Sequence, residues 1–301
     1  MSETTTLGRA ATTGRATMLT VRTIAQLRDA LRDAPRPIGL VATMGALHQG
    51  HLALLERARA DCATVVMSLF VNPSQFGAGE DLTAYPRDED ADARLAAGAG
   101  VDFLFAPAPG EIYPEGFATR IHVSGLGDTL EGAARGPRHF DGVATVVAKL
   151  LNIVAPQVAY FGQKDAQQAL VVKRLVADLD MAVSIEVCPT VRADDGLALS
   201  SRNAYLDAGE RLRAAALYRA LRAGADAVAA GARDGAAARS AALAELARDG
   251  IEPEYLAVVD PATLAPVQRV EGPVLIAVAA RVGGARLIDN VIATPAGSKP
   301  R

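Results

Sequence analysis

Ile38-Gly-Leu-Val-Ala-Thr43-Met-Gly-Ala-Leu-His48-Gln-Gly-His51 decides the fold class of this chain. The first six residues are almost all apolar or β-branched, the composition of a strand buried on both faces. A glycine-bearing turn follows. From Gly50 to Ala60, Leu52, Leu55 and Ala58 then recur at helical spacing. Strand, tight turn and helix open a βαβ unit, and such units build parallel sheets with helices on both faces.

The same alternation continues downstream. Thr64 to Val71 reads as a strand, Asp88 to Ala97 as a helix, and Val101 to Phe105 as a strand. Val143 to Val154 reads as a helix, Val158 to Phe161 as a strand, Asp165 to Leu179 as a helix, and Ala182 to Val187 as a strand. Ligands of such sheets bind outside the carboxyl ends of the strands. After about Val191 the composition changes. Asp207 to Asp249 is mostly Ala, Arg and Glu, and predicts two helices broken near Gly231 to Gly235. Three strand-like runs follow: Glu254 to Val259, Val274 to Ala280 and Arg286 to Ile292. Helices followed by antiparallel strands predict a small α+β second domain. The division expected is a tail over 1–17, a first domain over 18–192, a second over 193–292 and a closing tail over 293–301.

With 31 Lys and Arg against 34 Asp and Glu, the formal net charge is −3. A general nucleic-acid or membrane-surface binder would show a basic excess, so neither partner is expected. No apolar run approaches the roughly 18 residues of a membrane span. The two cysteines, Cys62 and Cys188, are too few for a disulfide framework and are expected to be buried free thiols. A reducing, cytoplasmic setting fits them. The first 17 residues are rich in Thr, Ala, Gly and Arg and lack the apolar stretch of a secretory signal, so they read as a disordered tail. Met18, just before the first strand-like residues, is an expected alternative start.

Four constellations carry polar chemistry to the strand ends. His48 and His51 sit three apart where a helix begins, on one helical face. A helix start favours phosphate, and two imidazoles there can donate hydrogen bonds to it. Alone, His-x-Gly-His equally fits a capped helix start with ordinary surface histidines. A zinc site would need further ligands, and none stands nearby in sequence. In Phe161-Gly-Gln-Lys164-Asp165-Ala-Gln-Gln168, Lys164 can neutralise a phosphate, Asp165 suits a helix cap, and Gln168 lies one turn on. Leu199-Ser-Ser-Arg202-Asn203 puts two hydroxyls and a guanidinium at the domain junction, a phosphate-binding combination that is also an ordinary polar turn. Phe70-Val-Asn72-Pro-Ser-Gln75-Phe76 places two amides at a strand's carboxyl end. The acidic run Asp88-Glu-Asp-Ala-Asp92 is read as a solvated helix face in preference to a magnesium site.

Taken in order, these segments resemble the pantothenate synthetases, together with Asp81-Leu-Thr-Ala-Tyr-Pro-Arg87, His139-Phe-Asp-Gly-Val143, Gly196 to Asn203, Glu254-Tyr-Leu and Arg286-Leu-Ile-Asp-Asn290. The resemblance runs from about Leu19 to Ile292. It implies a Rossmann-like, ATP-binding parallel-sheet domain of the His-x-Gly-His nucleotidyl-transfer superfamily, a smaller C-terminal lid, and a homodimer. It implies ATP-dependent joining of pantoate to β-alanine through an enzyme-bound pantoyl adenylate, with Mg²⁺ accompanying ATP. Met44, Gly45, Ala46, Leu47, His48, Gln49, Gly50 and His51 would hold ATP, with His51 the catalytic proton donor and His48 beside it. Gly162, Gln163, Lys164 and Asp165 would also hold ATP, Lys164 taking part in catalysis, as would Val191, Leu199, Ser200, Ser201 and Arg202. Gln75, Gln168 and Asn72 would serve pantoate and β-alanine. The chain departs from the family pattern at Ala42, where proline is common, at Gln163, where Glu is usual, and at Ala91, which is not acidic beside Asp92. The magnesium ligands stay unassigned. Another His-x-Gly-His enzyme, such as an aminoacyl-tRNA synthetase, would carry a basic RNA-binding appendage, which the small, acidic second domain argues against. A non-catalytic nucleotide-binding protein would lose at least one of His51, Lys164 and Arg202, all of which are present.

Overall fold

The computed structural model describes residues 17–77, 82–83, 85–136 and 138–296. The expected leading tail, 1–17, lies outside the described residues except for Thr17, and so does the end of the closing tail, 297–301. So do Asp81 and Ala84 of the 81–87 motif.

The first sheet has six strands: β1 (Leu19–Val21), β2 (Ile38–Thr43), β3 (Thr64–Leu69), β4 (Phe103–Phe105), β5 (Val158–Gly162) and β6 (Ser184–Cys188). All its pairings are parallel, in the order β1-β4-β3-β2-β5-β6. Its helices are α1 (Ile24–Leu31), α2 (Gln49–Asp61), α3 (Glu89–Ala99), α4 (Pro109–Ile112), α5 (Glu131–Arg135), α6 (Arg138–Val154) and α7 (Ala166–Asp178).

Alternate residues of the strands serve opposite faces. Leu40, Val66, Phe105, Ala159 and Phe161 join one core with Leu27 of α1, Val147 of α6 and Val172 of α7. Val41, Met67, Leu104 and Tyr160 join another with Leu55 of α2 and Ala96 of α3. Both faces are therefore covered, which explains the nearly unbroken apolar runs. The chain leaves β2 through β3 and β4, then returns to place β5 on the other side of β2. The strand order reverses there, and the crevice of such a Rossmann-like sheet opens at that reversal.

The second sheet holds β7 (Pro253–Val259), β8 (Val274–Val282) and β9 (Ala285–Ala293), antiparallel and in that order. Before it come α8 (Ala208–Ala214), α9 (Ala216–Ala229) and α10 (Gly235–Arg248). Three helices stand where the sequence predicts two. A single turn residue, Ala215, separates α8 from α9, and Ala214, Ala215, Ala216 and Leu217 are all buried at this junction. The axis breaks at Ala215 with no glycine or proline to announce it. In β8, Val274, Ile276, Val278, Ala280 and Val282 pack with α9 and α10, while Leu275 and Ala277 pack into the core beneath the first sheet. The second sheet is thus a middle layer with two apolar faces.

The acidic run also differs from expectation. Glu89 and Asp90 are exposed, but Asp92 is 3% exposed. One turn into α3 the helix faces inward, so a run of acids does not stay on one solvated face. Cys62 and Cys188 are free and buried, as expected. Among the described residues no helix is long and apolar enough to cross a membrane.

Candidate active site

The turn between β2 and α2 is closed by its own histidines. His48 occupies the N-cap of α2, and its Nδ1 accepts the Gly50 N–H at 3.1 Å. Nδ1 of His51 accepts the His48 N–H at 3.3 Å. The pair forms a reciprocal cap in which imidazoles replace the usual hydroxyl and carboxylate. Since Nδ1 accepts in both rings, the neutral form of each carries its proton on Nε2. The ring centroids are 4.2 Å apart. Burial lowers His48 from 6.5 to about 4, helped by the Lys164 charge. Burial lowers His51 to about 3, helped by the charges of His48 and Lys164. Near neutral pH both rings are therefore uncharged N–H donors beside a lysine.

Asp92 holds this turn from behind. Its Oδ2 accepts the Ala46 N–H at 2.9 Å and its Oδ1 the Leu47 N–H at 2.7 Å. Gly45 sits at φ +90, and a Cβ there would come within 2.8 Å of Asp92 Oδ2. Glycine is needed both for the conformation and for the approach of the carboxylate.

Lys164 enters from the end of β5, on the single 3₁₀ turn Gln163–Asp165. Its side chain is 19% exposed, with Nζ 3.5 Å from Asp165 Oδ1. Asp165 takes the N-cap position of α7 without making a side-chain capping bond. The expected cap is absent, and the carboxylate is turned to the lysine.

At the end of β3, Asn72 is 1% exposed. Its Oδ1 accepts from Tyr113 Oη and Ser74 Oγ, each at 2.8 Å, while its Nδ2 donates to Gly142 O and Gln75 Oε1, each at 3.1 Å. Gln75 Nε2 meets Met44 Sδ at 3.1 Å. A Cβ on Gly142 would fall 2.4 Å from Ser74 O, so only glycine lets α6 meet this turn. His139 lies between Arg135 (Nη1 to Nε2, 3.0 Å) and the Gln75 carbonyl (2.9 Å from Nδ1). Arginine can only donate and a carbonyl only accept, so neutral His139 carries its proton on Nδ1, opposite to His48 and His51.

The second sheet supplies the roof. Arg286 of β9 forks onto Glu131 of α5 through two bonds of 2.7 Å, and Tyr255 Oη donates to the same carboxylate at 2.9 Å. Burial pushes the Glu131 carboxyl up, but the Arg286 bonds and charge bring it below its ordinary value. Ser201 Oγ stands 3.3 Å from Tyr85 Oη, and the Arg202 guanidinium lies 6.0 Å from the Tyr85 ring.

All these elements enclose a cavity of about 610 Å³. Met44, His48, Gly50, His51, Asn72, Gln75, Gly162, Lys164, Asp165, Gln168, Val191, Leu199, Ser200, Ser201 and Arg202 line it. Gly45, Ala46, Leu47, Gln49 and Gln163 are not among its lining residues. Among the described residues no group of three His, Cys, Asp or Glu is arranged to hold a metal.

The pantoate-beta-alanine ligase family matches residues 18–292. The chain belongs to that family. Pantothenate synthetase of Rhizorhabdus wittichii is 53% identical over 283 residues, covering 93% of this chain and 100% of that protein. The enzyme of Moorella thermoacetica is 52% identical over 276 residues, covering 90% and 97%. The crystal structure of pantothenate synthetase from Thermus thermophilus matches at TM-score 0.87 and 51% identity, over 91% of this chain and 99% of that one. Pantoate-beta-alanine ligase from Francisella tularensis, solved with beta-gamma ATP and β-alanine, matches at TM-score 0.76 and 34% identity, over 91% and 97%. The activity of a pantoate-beta-alanine ligase is to join pantoate to β-alanine, forming pantothenate.

Several residues of this ligase site are invisible to sequence reasoning. Glu131 carries no motif, and its partner Arg286 lies 155 residues away. His139 stands in a quoted motif that assigns it no task. Gln167 and Gln168 look alike in sequence. Both line the cavity, but Gln167 is 6% exposed with its amide bonded to Glu131 N, Leu126 O and Thr129 O, whereas Gln168 is only half-buried. Helical phase distinguishes such neighbours only once the burial of both faces of α7 is known.

Proposed function

We propose that the cavity takes ATP and pantoate together and makes pantoyl adenylate before β-alanine reacts. A pantoate carboxylate oxygen attacks the α-phosphorus, the bond to the bridging oxygen breaks, and diphosphate leaves. The β-alanine amine then attacks the acyl carbon, an amide forms, and AMP departs. Two anions must meet in the first step, so donors and cations matter more than a base. His48 and His51 would donate from Nε2 to the phosphate oxygens, with Lys164 and Arg202 neutralising charge and Ser200 and Ser201 orienting the chain. Gln75 and Gln168 would hold pantoate, with Asn72 fixing Gln75 from behind. The observation that carries the reading is the closely apposed, backbone-held imidazole pair beside Lys164 at the strand-order reversal.

Magnesium usually reaches such sites on substrate phosphates with one or two carboxylates. Asp165 lines the cavity and fits that task, while both oxygens of Asp92 are already taken by backbone N–H groups. Mg²⁺ would offset phosphate charge there. Residues 193–292 would serve as the lid that keeps water from the mixed anhydride. A cytoplasmic homodimer belongs to the same reading and rests on the family resemblance.

The test is exchange of labelled diphosphate into ATP with pantoate and Mg²⁺ present and β-alanine omitted. Exchange is expected. A strict requirement for β-alanine, or formation of ADP and phosphate, would overturn the adenylate.

A further inference from the structure

We propose that Asn290, in the second sheet, is a positioning residue for Lys164: its side-chain amide clamps the turn that carries the lysine. The proposal rests on the reading that Lys164 acts on ATP.

Asn290 Nδ2 lies 2.9 Å from the carbonyl oxygen of Gln163 and 2.9 Å from that of Lys164. Carbonyl oxygens only accept, so the group between them must be the NH₂, and each of its hydrogens has a partner. The remaining Oδ1 then accepts Gln163 Nε2 at 2.9 Å. One side chain thus satisfies both consecutive carbonyls and returns a bond to the same turn. A carboxylate at position 163 would offer no donor to that oxygen. The glutamine here completes the clamp.

The turn needs the support. Gly162 gives no side-chain cap to the 3₁₀ turn, and Asp165 gives none to α7. The segment's backbone therefore has no local side-chain cap, and its fastening comes from 126 residues further along the chain. A lysine is a point charge on a flexible stem, so the place of its Cα sets where the ammonium can reach.

Asn290 is itself fixed. It is 4% exposed and registers against Ala277 of β8. Its backbone N–H donates to Asp289 Oδ1 at 2.7 Å. Asp289 takes a fork from Arg192, with bonds of 2.5 and 2.9 Å, and Arg192 also reaches the Asn290 carbonyl at 3.3 Å. The Arg192 guanidinium stacks 3.9 Å from the centre of the Tyr218 ring on α9. A continuous set of contacts thus leads from a helix of the second layer to the lysine turn of the first. Docking of that layer and the place of the lysine are one event.

The experiment is a double-variant cycle of Asn290→Ala and Lys164→Ala, with kcat and KM measured separately for ATP and for pantoate, and Tm recorded for every variant. Misplacing a reacting group by about 1 Å costs on the order of 100-fold, so Asn290→Ala should lower kcat/KM for ATP by about 10- to 100-fold. The pantoate KM should stay unchanged. In the Lys164→Ala background, Asn290→Ala should add no further loss. A lower Tm with intact ATP kinetics, or an equal loss in both backgrounds, would overturn the proposal. A harmless Lys164→Ala would overturn the reading of the lysine and this inference with it. Should Asn290→Ala fail to fold, Asn290→Ser, which keeps one donor, carries the same cycle with a smaller loss expected.

Discussion

The His51 ring is held by the backbone of His48: Nδ1 accepts that N–H at 3.3 Å, so the orientation of the second histidine depends on the first. The cap fixes both rings before any ligand arrives. Preorganised donors of this kind stabilise developing charge without reorganising during the reaction.

His51→Ala should therefore fold, because it removes one capping contact worth about 1 kcal/mol. Its diphosphate exchange without β-alanine should fall about 10²- to 10³-fold. Circular dichroism checks the fold and the exchange assay checks the chemistry. A folded variant with near wild-type exchange would remove His51 from the reaction.

The same burial sets a pH dependence. Both histidines have folded values below 6.5, near 4 for His48 and near 3 for His51. Between those values and 6.5 the unfolded chain binds more protons than the folded one. The histidine contribution is therefore complete above about 6.5 and is lost as pH falls toward 4 and then 3. Tm measured across that window should decline in the native chain. His51→Ala should decline less steeply, and an unchanged slope would contradict the buried, neutral assignment.

Asp92→Ala leaves the Ala46 and Leu47 N–H groups without their acceptor. Each unsatisfied donor costs about 1–3 kcal/mol when buried, and these two are half-buried, so urea unfolding should show a loss near the low end for each, about 2 kcal/mol together. KM for ATP should rise, because the loop that leads to His48 loses its brace. Asp92→Asn keeps one acceptor oxygen and should recover part of both effects. Loss of stability with an unaltered KM would show that the loop holds its shape by other means.

Glu131→Ala breaks a buried pair whose side chains are 7% and 17% exposed. Removing one partner of such a pair costs about 3–5 kcal/mol, and the low end is expected because Glu254 still meets Arg286 Nε. Replacing Glu131 and Arg286 together should cost less than the two single changes summed. The Glu131 carboxyl titrates below its ordinary value. Its contribution is thus present above the ordinary carboxylate range and is lost as pH falls through the folded value. Strict additivity in the denaturation cycle would disprove the coupling.

The first sheet was legible because its central strands, β2 and β3 above all, are buried on both faces, so their apolar runs have no polar interruption to blur them. Its strand ends were legible for the same reason, and the motifs alone assign His48, His51, Lys164 and Arg202 to one edge, where all four line the cavity. Asp92 was misread because a run of acids resembles a solvated face until the phase of α3 is known. The break at Ala215 was hidden because alanine, the strongest helix former, signals that the helix continues. Asn290 was visible only as a letter in a motif, since its partners lie 126 and 127 residues away and two of the three are backbone carbonyls, which have no signature in side-chain chemistry. Contacts made by backbone carbonyls, or across the two layers, leave little trace in local pattern.

The alternating faces of β8 have a consequence for inheritance. Deleting a single codon inside Val274–Val282 would preserve the hydrophobic composition yet move every later side chain of the strand to the opposite face. The small residue Ala277 would then trade places with bulky neighbours, and the misfit would strike both layers at once. The same deletion in the segment between β7 and β8 would meet no such parity constraint. Frame-preserving indels should therefore be purged from this nine-residue strand far more strictly than its conservative substitutions.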